Sequence, residues 1–360
     1  MAPRFEELPA ELLVNITSHL TTVEYGSVRR TCSMVEKKLF DSFGKEFFKR
    51  KQFMLTESSL QALIDISNHE SLRGYLTKII IGTNVIPDFR NLNPHNYPFA
   101  SSVIVTNSVD AETKTWQRQQ YLEQRYFMEQ GLDTPMLTEA LNNLPSCHEI
   151  EIRDSYCPIR GRGDERWTSY GSTEFLKRCG LPLWQWWSET EHQPRINHVF
   201  ATVTRAMATT ATARKYTAFM MTTRLFQNDL ADDSFYLPNL VNFTEAFKSV
   251  KTLMLPIYTR IGNPDLKDFG SFLLLFPNLV HLRLNGTPNS NASEWLIAAK
   301  DAVSSSSIRQ LDLGKMRLQP DAFKDFLSSL KALEHLELHW VSDTRVPNNI
   351  WMNKGTDYAK

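Results

Sequence analysis

The sequence predicts an α/β chain in two parts: three short N-terminal helices, then an array of repeating helix–strand units. Three observations carry this. The chain has 360 residues, too many for one ordinary core, so it requires further domains or a lengthwise array. Near its end one phrase recurs, with an apolar residue, two variable ones, an apolar, one variable and a final apolar. Each copy follows a stretch with helical apolar spacing.

The first fifty residues divide into three helices. Leu8, Leu12, Leu13, Ile16 and Leu20 fall on one helical face, with Pro9 expected at the first helical position and Glu11 in the first turn. Thr21 and Glu24 have capping-box spacing, so a second helix should begin at once, with Tyr25, Val28 and Cys32 as its apolar side. Gly26 lies inside that helix, where glycine costs about 1 kcal/mol relative to alanine. Val35, Leu39, Phe40, Phe43 and Phe47 mark a third helix running into the basic Lys49-Arg50-Lys51. A unit this small buries little by itself and leans on a partner or on the rest of its chain. One reading makes it an N-terminal cap for the array.

The recurring phrase begins at Val250, Leu279, Ile308 and Leu333, so the copies are 29, 29 and 25 residues apart. Helical patterns over 266–276, 292–303 and 321–330 precede the last three. Looser copies begin at Leu76, behind a helix with Leu60, Leu63 and Ile64 and with Ser58 and Gln61 at capping-box spacing. Others begin at Cys147, behind Leu137 and Leu141, and at Tyr216, behind a helix starting near Pro194. The wide gaps between these copies imply insertions near 83–133, including a helix over 110–130, and near 154–192. The centre of the second insertion, 160–166, is rich in glycine and charge. It reads as a mobile surface loop, with order resuming near Trp184. An ordinary α/β domain with regular crossovers is the alternative.

Leu8-Pro9-Ala10-Glu11-Leu12-Leu13-Val14-Asn15-Ile16-Thr17-Ser18-His19-Leu20 closely resembles the opening of an F-box, and Val28-Arg29-Arg30-Thr31-Cys32-Ser33 looks like that motif's second helix. The recurring phrase, at its spacing, resembles leucine-rich repeats, which run about 20–29 residues. Together they resemble a family of fungal F-box proteins. The resemblance implies an F-box over 1–51, an irregular leucine-rich-repeat-like solenoid over 52–345 and a tail over 346–360. It implies that Leu8, Pro9, Leu12, Leu13, Ile16, Leu20 and Val28 meet a Skp-type adaptor and, through it, a cullin. The solenoid would then hold a protein substrate for ubiquitin transfer. An interaction protein acting without a cullin is the other function of this class.

Composition and motifs exclude other classes. Forty basic residues balance forty acidic ones, so nothing global favours nucleic acid or an anionic membrane. No apolar run approaches the ~18 residues of a membrane span, and the N-terminus lacks a signal peptide's apolar centre. The four cysteines, Cys32, Cys147, Cys157 and Cys179, read as reduced thiols in a cytoplasmic or nuclear protein. No phosphate-binding glycine loop, nucleophile elbow or metalloprotease motif is present, so no catalytic residue, metal or cofactor is expected. His335 and His339 are expected about 13 Å apart on a strand, too far to share an ion. Trp184, Trp186 and Trp187 could pin the second insertion or anchor a partner.

Strand alternation gives the target face. If Leu282 and Leu284 point inward, then His281, Arg283 and Asn285 point outward, with Gln310, Asp312, His335, Glu337 and His339 on the following strands. Upstream, the same parity exposes Glu149, Glu151, Arg153, Met220, Thr252 and Met254. The row mixes both signs with polar and sulfur groups, as a protein-recognition surface would.

Overall fold

From Arg50 onward the chain alternates strands with helices, and the strands lie side by side in the order in which they occur. The computed structural model describes residues 4–86, 110–154, 162, 168–179, 183, 192–211, 214–223, 229–237, 241–258, 266–287, 290–303, 307–344 and 350–351. Among these, one sheet contains β1 (Arg50–Met54), β2 (Lys78–Gly82), β3 (Glu149–Arg153), β4 (Ala218–Thr222), β5 (Thr252–Pro256), β6 (His281–Asn285), β7 (Gln310–Leu318), β8 (His335–Asp343) and β9 (Ile350–Trp351). β1 to β8 are parallel, and β9 closes the far edge antiparallel to β8.

Parallel neighbours need crossovers, and crossovers of constant right hand between strands added in one direction place their helices on one face. The helices accordingly form a row. α4 (Glu57–Asn68) packs on α6 (Asp133–Asn143), α6 on α8 (His192–Thr209) and α8 on α9 (Val241–Phe247). α10 (Lys267–Leu273) packs on α11 (Ser293–Val303), and α11 on α12 (Pro320–Ser329). Between row and sheet lies one core in which Phe200, Phe219, Phe235, Phe247, Phe272 and Phe276 interleave, neighbouring centroids lying 4.8 to 6.0 Å apart.

The register shows why the phrase recurs. Its first apolar residue sits two positions before each strand: Leu76, Cys147, Tyr216, Val250, Leu279 and Ile308 are all buried there. Its second and third positions form continuous inward rows. One runs through Ile79, Ile150, Phe219, Leu253, Leu282 and Leu311, and the parallel row includes Ile81, Ile152, Leu255, Leu284 and Leu313. Burying each such side chain contributes roughly 1.5–3 kcal/mol, so the phrase is the stabilising unit of the array.

The N-terminal unit comprises a 3₁₀ turn at Phe5–Glu7, α1 (Ala10–Thr17), α2 (Thr22–Arg29) and α3 (Ser33–Phe47). The capping box of α2 is present: Thr21 Oγ1 accepts from Glu24 N at 3.3 Å, and Glu24 accepts from Thr21 N at 2.8 Å. Leu13, Tyr25, Val35 and Leu39 form a small separate core.

Several expectations are corrected. Arg50 and Lys51, expected in the N-terminal unit, already belong to the sheet as part of β1. Pro9 is the N-cap of α1 rather than its first helical residue, and Leu20 lies beyond the helix end. Thr56 caps α4 by accepting from Ser59 N, so the Ser58–Gln61 capping box does not form. The 110–130 helix is α5 (Ala111–Glu129), capped by Asp110. α7 (Ser172–Cys179) and α9 were not foreseen. β9 ties part of the expected tail to the sheet. Of the expected mobile loop over 160–166, Arg162 is described, its side chain 9% exposed and bonded to Glu46, and the other residues lie outside the described ones. Trp184, Trp186, Trp187 and Cys157 lie outside the described residues.

Candidate functional site

Two surfaces carry the residues singled out above. The first is the outer side of α1. Leu13 and Thr17 turn inward, which places Leu12 and Ile16, four residues apart, on the opposite side at 50% and 45% exposure. Pro9 is also exposed, and Phe5 remains 43% exposed just upstream. Lys38 of α3 holds this entry segment in place, donating to the carbonyls of Glu6 and Leu8 at 2.8 Å each. Of the seven residues expected to meet a partner, Pro9, Leu12 and Ile16 are open. Leu8, Leu20 and Val28 are partly buried against the bundle core. Leu13 is wholly buried and cannot touch a partner, because it is the central core residue of α1.

The second surface is the sheet face turned away from the helices. Its rows follow the register: His281 lies beside Gln310 and Gln310 beside His335, while Arg283 lies beside Asp312 and Asp312 beside Glu337. Asn285, Gly314 and His339 form a third row. The outward parity holds, but exposure does not follow from it. Asp312 is buried, accepting from Gln310 Nε2 at 3.1 Å and facing His281 Nε2 at 2.7 Å. Burial disfavours its charge, yet the bonds from His281 and Gln310 and the positive charge of Arg283 outweigh burial, and its pKa falls below the ordinary carboxylate value. His281 and Asp312 therefore satisfy each other, whereas His335, Glu337 and His339 stand open on β8.

Upstream, most of the same face is closed, Glu149 being its partly open edge. Glu151 is buried between Lys78, 2.8 Å from its carboxylate, and Arg153, whose Nε donates to it at 2.7 Å. Met220 and Gln52 are buried as well. The most open stretch of the face is therefore β8, while Thr252, Met254, His281, Arg283 and Gln310 are partly accessible, as Glu149 is upstream.

Alternation also missed Trp340. It follows an outward residue and should face inward. It adopts φ 58 instead, as Lys315 at the matching place on β7 adopts φ 54. These left-handed residues shift the alternation, so Met316 and Val341 enter the core and Trp340 is left 65% exposed. Non-glycine residues held in this region mark positions that the surroundings over-determine.

Three groups have the look of chemistry. Asp229, behind β4, accepts from Thr223 Oγ1 at 3.1 Å and Thr287 Oγ1 at 3.2 Å, and burial pushes its pKa up to about 8. Burial likewise pushes the Cys147 thiol up to about 12, so it packs as a small hydrophobe. In the helix layer, His198 Nε2 and Thr202 Oγ1 both face Asp133 Oδ2, which is fully buried. In a nucleophilic relay the imidazole stands between acid and hydroxyl and uses a different nitrogen for each. Here one nitrogen faces both, so the contact ties α6 to α8 and assembles no relay. Among the described residues no group of three His, Cys, Asp or Glu converges to hold a metal, and no helix is long and apolar enough to cross a membrane. No protein-family model and no curated protein matches the chain.

Proposed function

We propose that this chain is the substrate-recognition subunit of a Skp–cullin–F-box ubiquitin ligase. The helical unit ending before Arg50 is an F-box that docks on a Skp-type adaptor through Phe5, Pro9, Leu12 and Ile16. The array is an irregular leucine-rich-repeat-like solenoid that holds a protein target on the open face of β5 to β8, with His335, Glu337, His339 and Trp340 as leading contacts. Its contribution is proximity: it raises the local concentration of target lysines and performs no covalent step itself.

The observation that carries this reading is the apolar side of α1. The bundle core is closed by Leu13, Tyr25, Val35 and Leu39, yet Leu12 and Ile16 remain half in water at helical spacing. An exposed apolar stripe on so small a unit is supported best by an apolar groove on a partner. The F-box-like order of residues 8–33 says which partner. For the array, the support is that each strand of the sheet lies between its sequence neighbours, as in repeat arrays.

The test is co-purification of the full chain with adaptor and cullin. Changing Leu12 and Ile16 to Asp should remove apolar contact worth about 2–3 kcal/mol and lower adaptor affinity roughly thirtyfold or more. The array should stay folded and keep its target. A double variant that retains adaptor at wild-type levels would refute the docking face. Adaptor without cullin would point to the cullin-independent role.

A further inference from the structure

We infer that Arg162 is a positioning residue that locks α1 and α2 in a fixed orientation on the sheet. By sequence it belongs to the array, since it lies between β3 and β4. Its contacts belong to the N-terminal unit. Nε and Nη2 each donate to the Glu46 carboxylate of α3 at 2.7 Å, and Nη1 donates to the Thr17 carbonyl at the end of α1. The guanidinium carbon lies over the Tyr25 ring of α2, 3.8 Å from its centroid. One side chain, 9% exposed, thus engages all three helices.

Each contact uses a property particular to arginine. The forked donors match a carboxylate, the flat face stacks on an aromatic ring, and the positive charge complements the C-terminal end of a helix. α3 does not need this help. It runs almost directly into β1, Tyr75 donates to Asp41 at 3.0 Å, and a Cβ at Gly44 would lie 2.6 Å from the Tyr75 ring. α1 and α2 pack on α3 around a core of four buried residues and through the Arg29–Glu36 pair, and Arg162 adds a direct tie from both to the segment between β3 and β4. It acts at Thr17, on the inward side of α1, so Leu12 and Ile16 stay open. On the ligase reading, which supplies the purpose, a rigid joint presents a target on β5 to β8 at one angle to the adaptor. The locking itself does not depend on that reading.

The test uses the full chain alone, with a fluorescence donor and acceptor attached at His19 and Lys331 by thiol-independent labelling. Wild type should give one narrow distance distribution. Arg162→Ala should broaden it and speed amide exchange across α2 about tenfold or more, as expected for local opening. Arg162→Lys, which keeps the charge but loses the fork and the flat face, should broaden it too, and it serves where the alanine variant fails to fold. Adaptor affinity should stay within about twofold of wild type in both, because the docking face is untouched. Distributions as narrow in both variants as in wild type would overturn the inference, whatever the adaptor does. If wild type binds no adaptor yet the variants broaden, the lock stands and the ligase reading falls.

Discussion

The N-terminal helices and the strand array solve the same problem differently. In the array, Leu282 and Leu311 sit in continuous rows where every unit buries its neighbour's apolar residues. Among the described residues, the helical unit has no such neighbour on the outer side of α1. Its core comprises Leu13, Tyr25, Val35 and Leu39, while Phe5, Leu12, Ile16, Val23 and Met34 remain exposed. The array also leaves large apolar residues in water, Tyr236, Leu274 and Trp340 among them, but its strand rows are covered by repetition, whereas the four-residue core of the helical unit leaves Leu12 and Ile16 uncovered. Polar groups divide similarly. The array buries Glu151, Asp229 and Asp312, whereas Glu24 of the helical unit titrates in water.

The largest break of this comparison should come from a carboxylate placed in each region. Leu282→Asp buries an unpaired charge and should cost several kcal/mol, unfolding the C-terminal half, whereas Leu12→Asp should change stability by less than about 0.5 kcal/mol. His335→Ala, on the open face, should be equally mild. Thermal melts in which the Leu282 and Leu12 variants fall by similar amounts would erase the distinction.

Acidity should sharpen it. The folded pKa of Asp229 is raised to about 8 from an ordinary 3.8, so the folded array holds a proton that the unfolded chain gives up. Its contribution is full below about pH 4, declines as pH rises, and is gone above about 8. Over that window it amounts to a few kcal/mol, since one pKa unit corresponds to about 1.4 kcal/mol. Glu24 has the opposite sign. Hydrogen bonds from the Thr21 backbone and hydroxyl lower its pKa, so its contribution is present above the unfolded pKa and lost as pH falls. Asp229→Asn should flatten the alkaline decline in chemical denaturation at pH 5 and pH 9. An unchanged slope would show that Asp229 is not its source.

The smallest expected effect lies in the helical unit. Nothing lies within 4 Å of a Cβ built at Gly26, inside α2, so Gly26→Ala should stabilise that helix by about 0.5–1 kcal/mol. Amide exchange across α2 should slow by up to about fivefold, with the array unaffected. Faster exchange would mean that the glycine meets a need of the backbone.

Much of the array was legible because its information is local. An apolar residue at every second strand position says which way each side chain turns, and the near-regular spacing from Val250 to Leu333 says that those strands follow one another alike. Leu253, Leu282 and Leu311 therefore fall where alternation puts them, and the Thr21–Glu24 cap forms where its spacing says. The exposed apolar stripe of α1 was half legible. Helical periodicity placed Leu12, Leu13 and Ile16 on one face, but a broad face has a buried side and an open one. Contact with α2 and α3 decided that Leu13 is core.

The remainder depended on contacts between distant residues. Arg162 looked like part of a solvated loop because its neighbours are glycine and charge, yet its partners Thr17 and Glu46 lie 145 and 116 positions away. Asp312 and Glu151 point outward as alternation requires, but a partner on an adjoining strand decided that each would be buried and satisfied. Trp340 departs from simple alternation because its own left-handed backbone shifts the pattern, and nothing in its side chain signals that turn. Sequence alone determined the direction of most strand side chains, which a two-residue period encodes. Only the tertiary structure decided which of them meet water, because accessibility depends on whatever packs above, wherever in the chain that comes from.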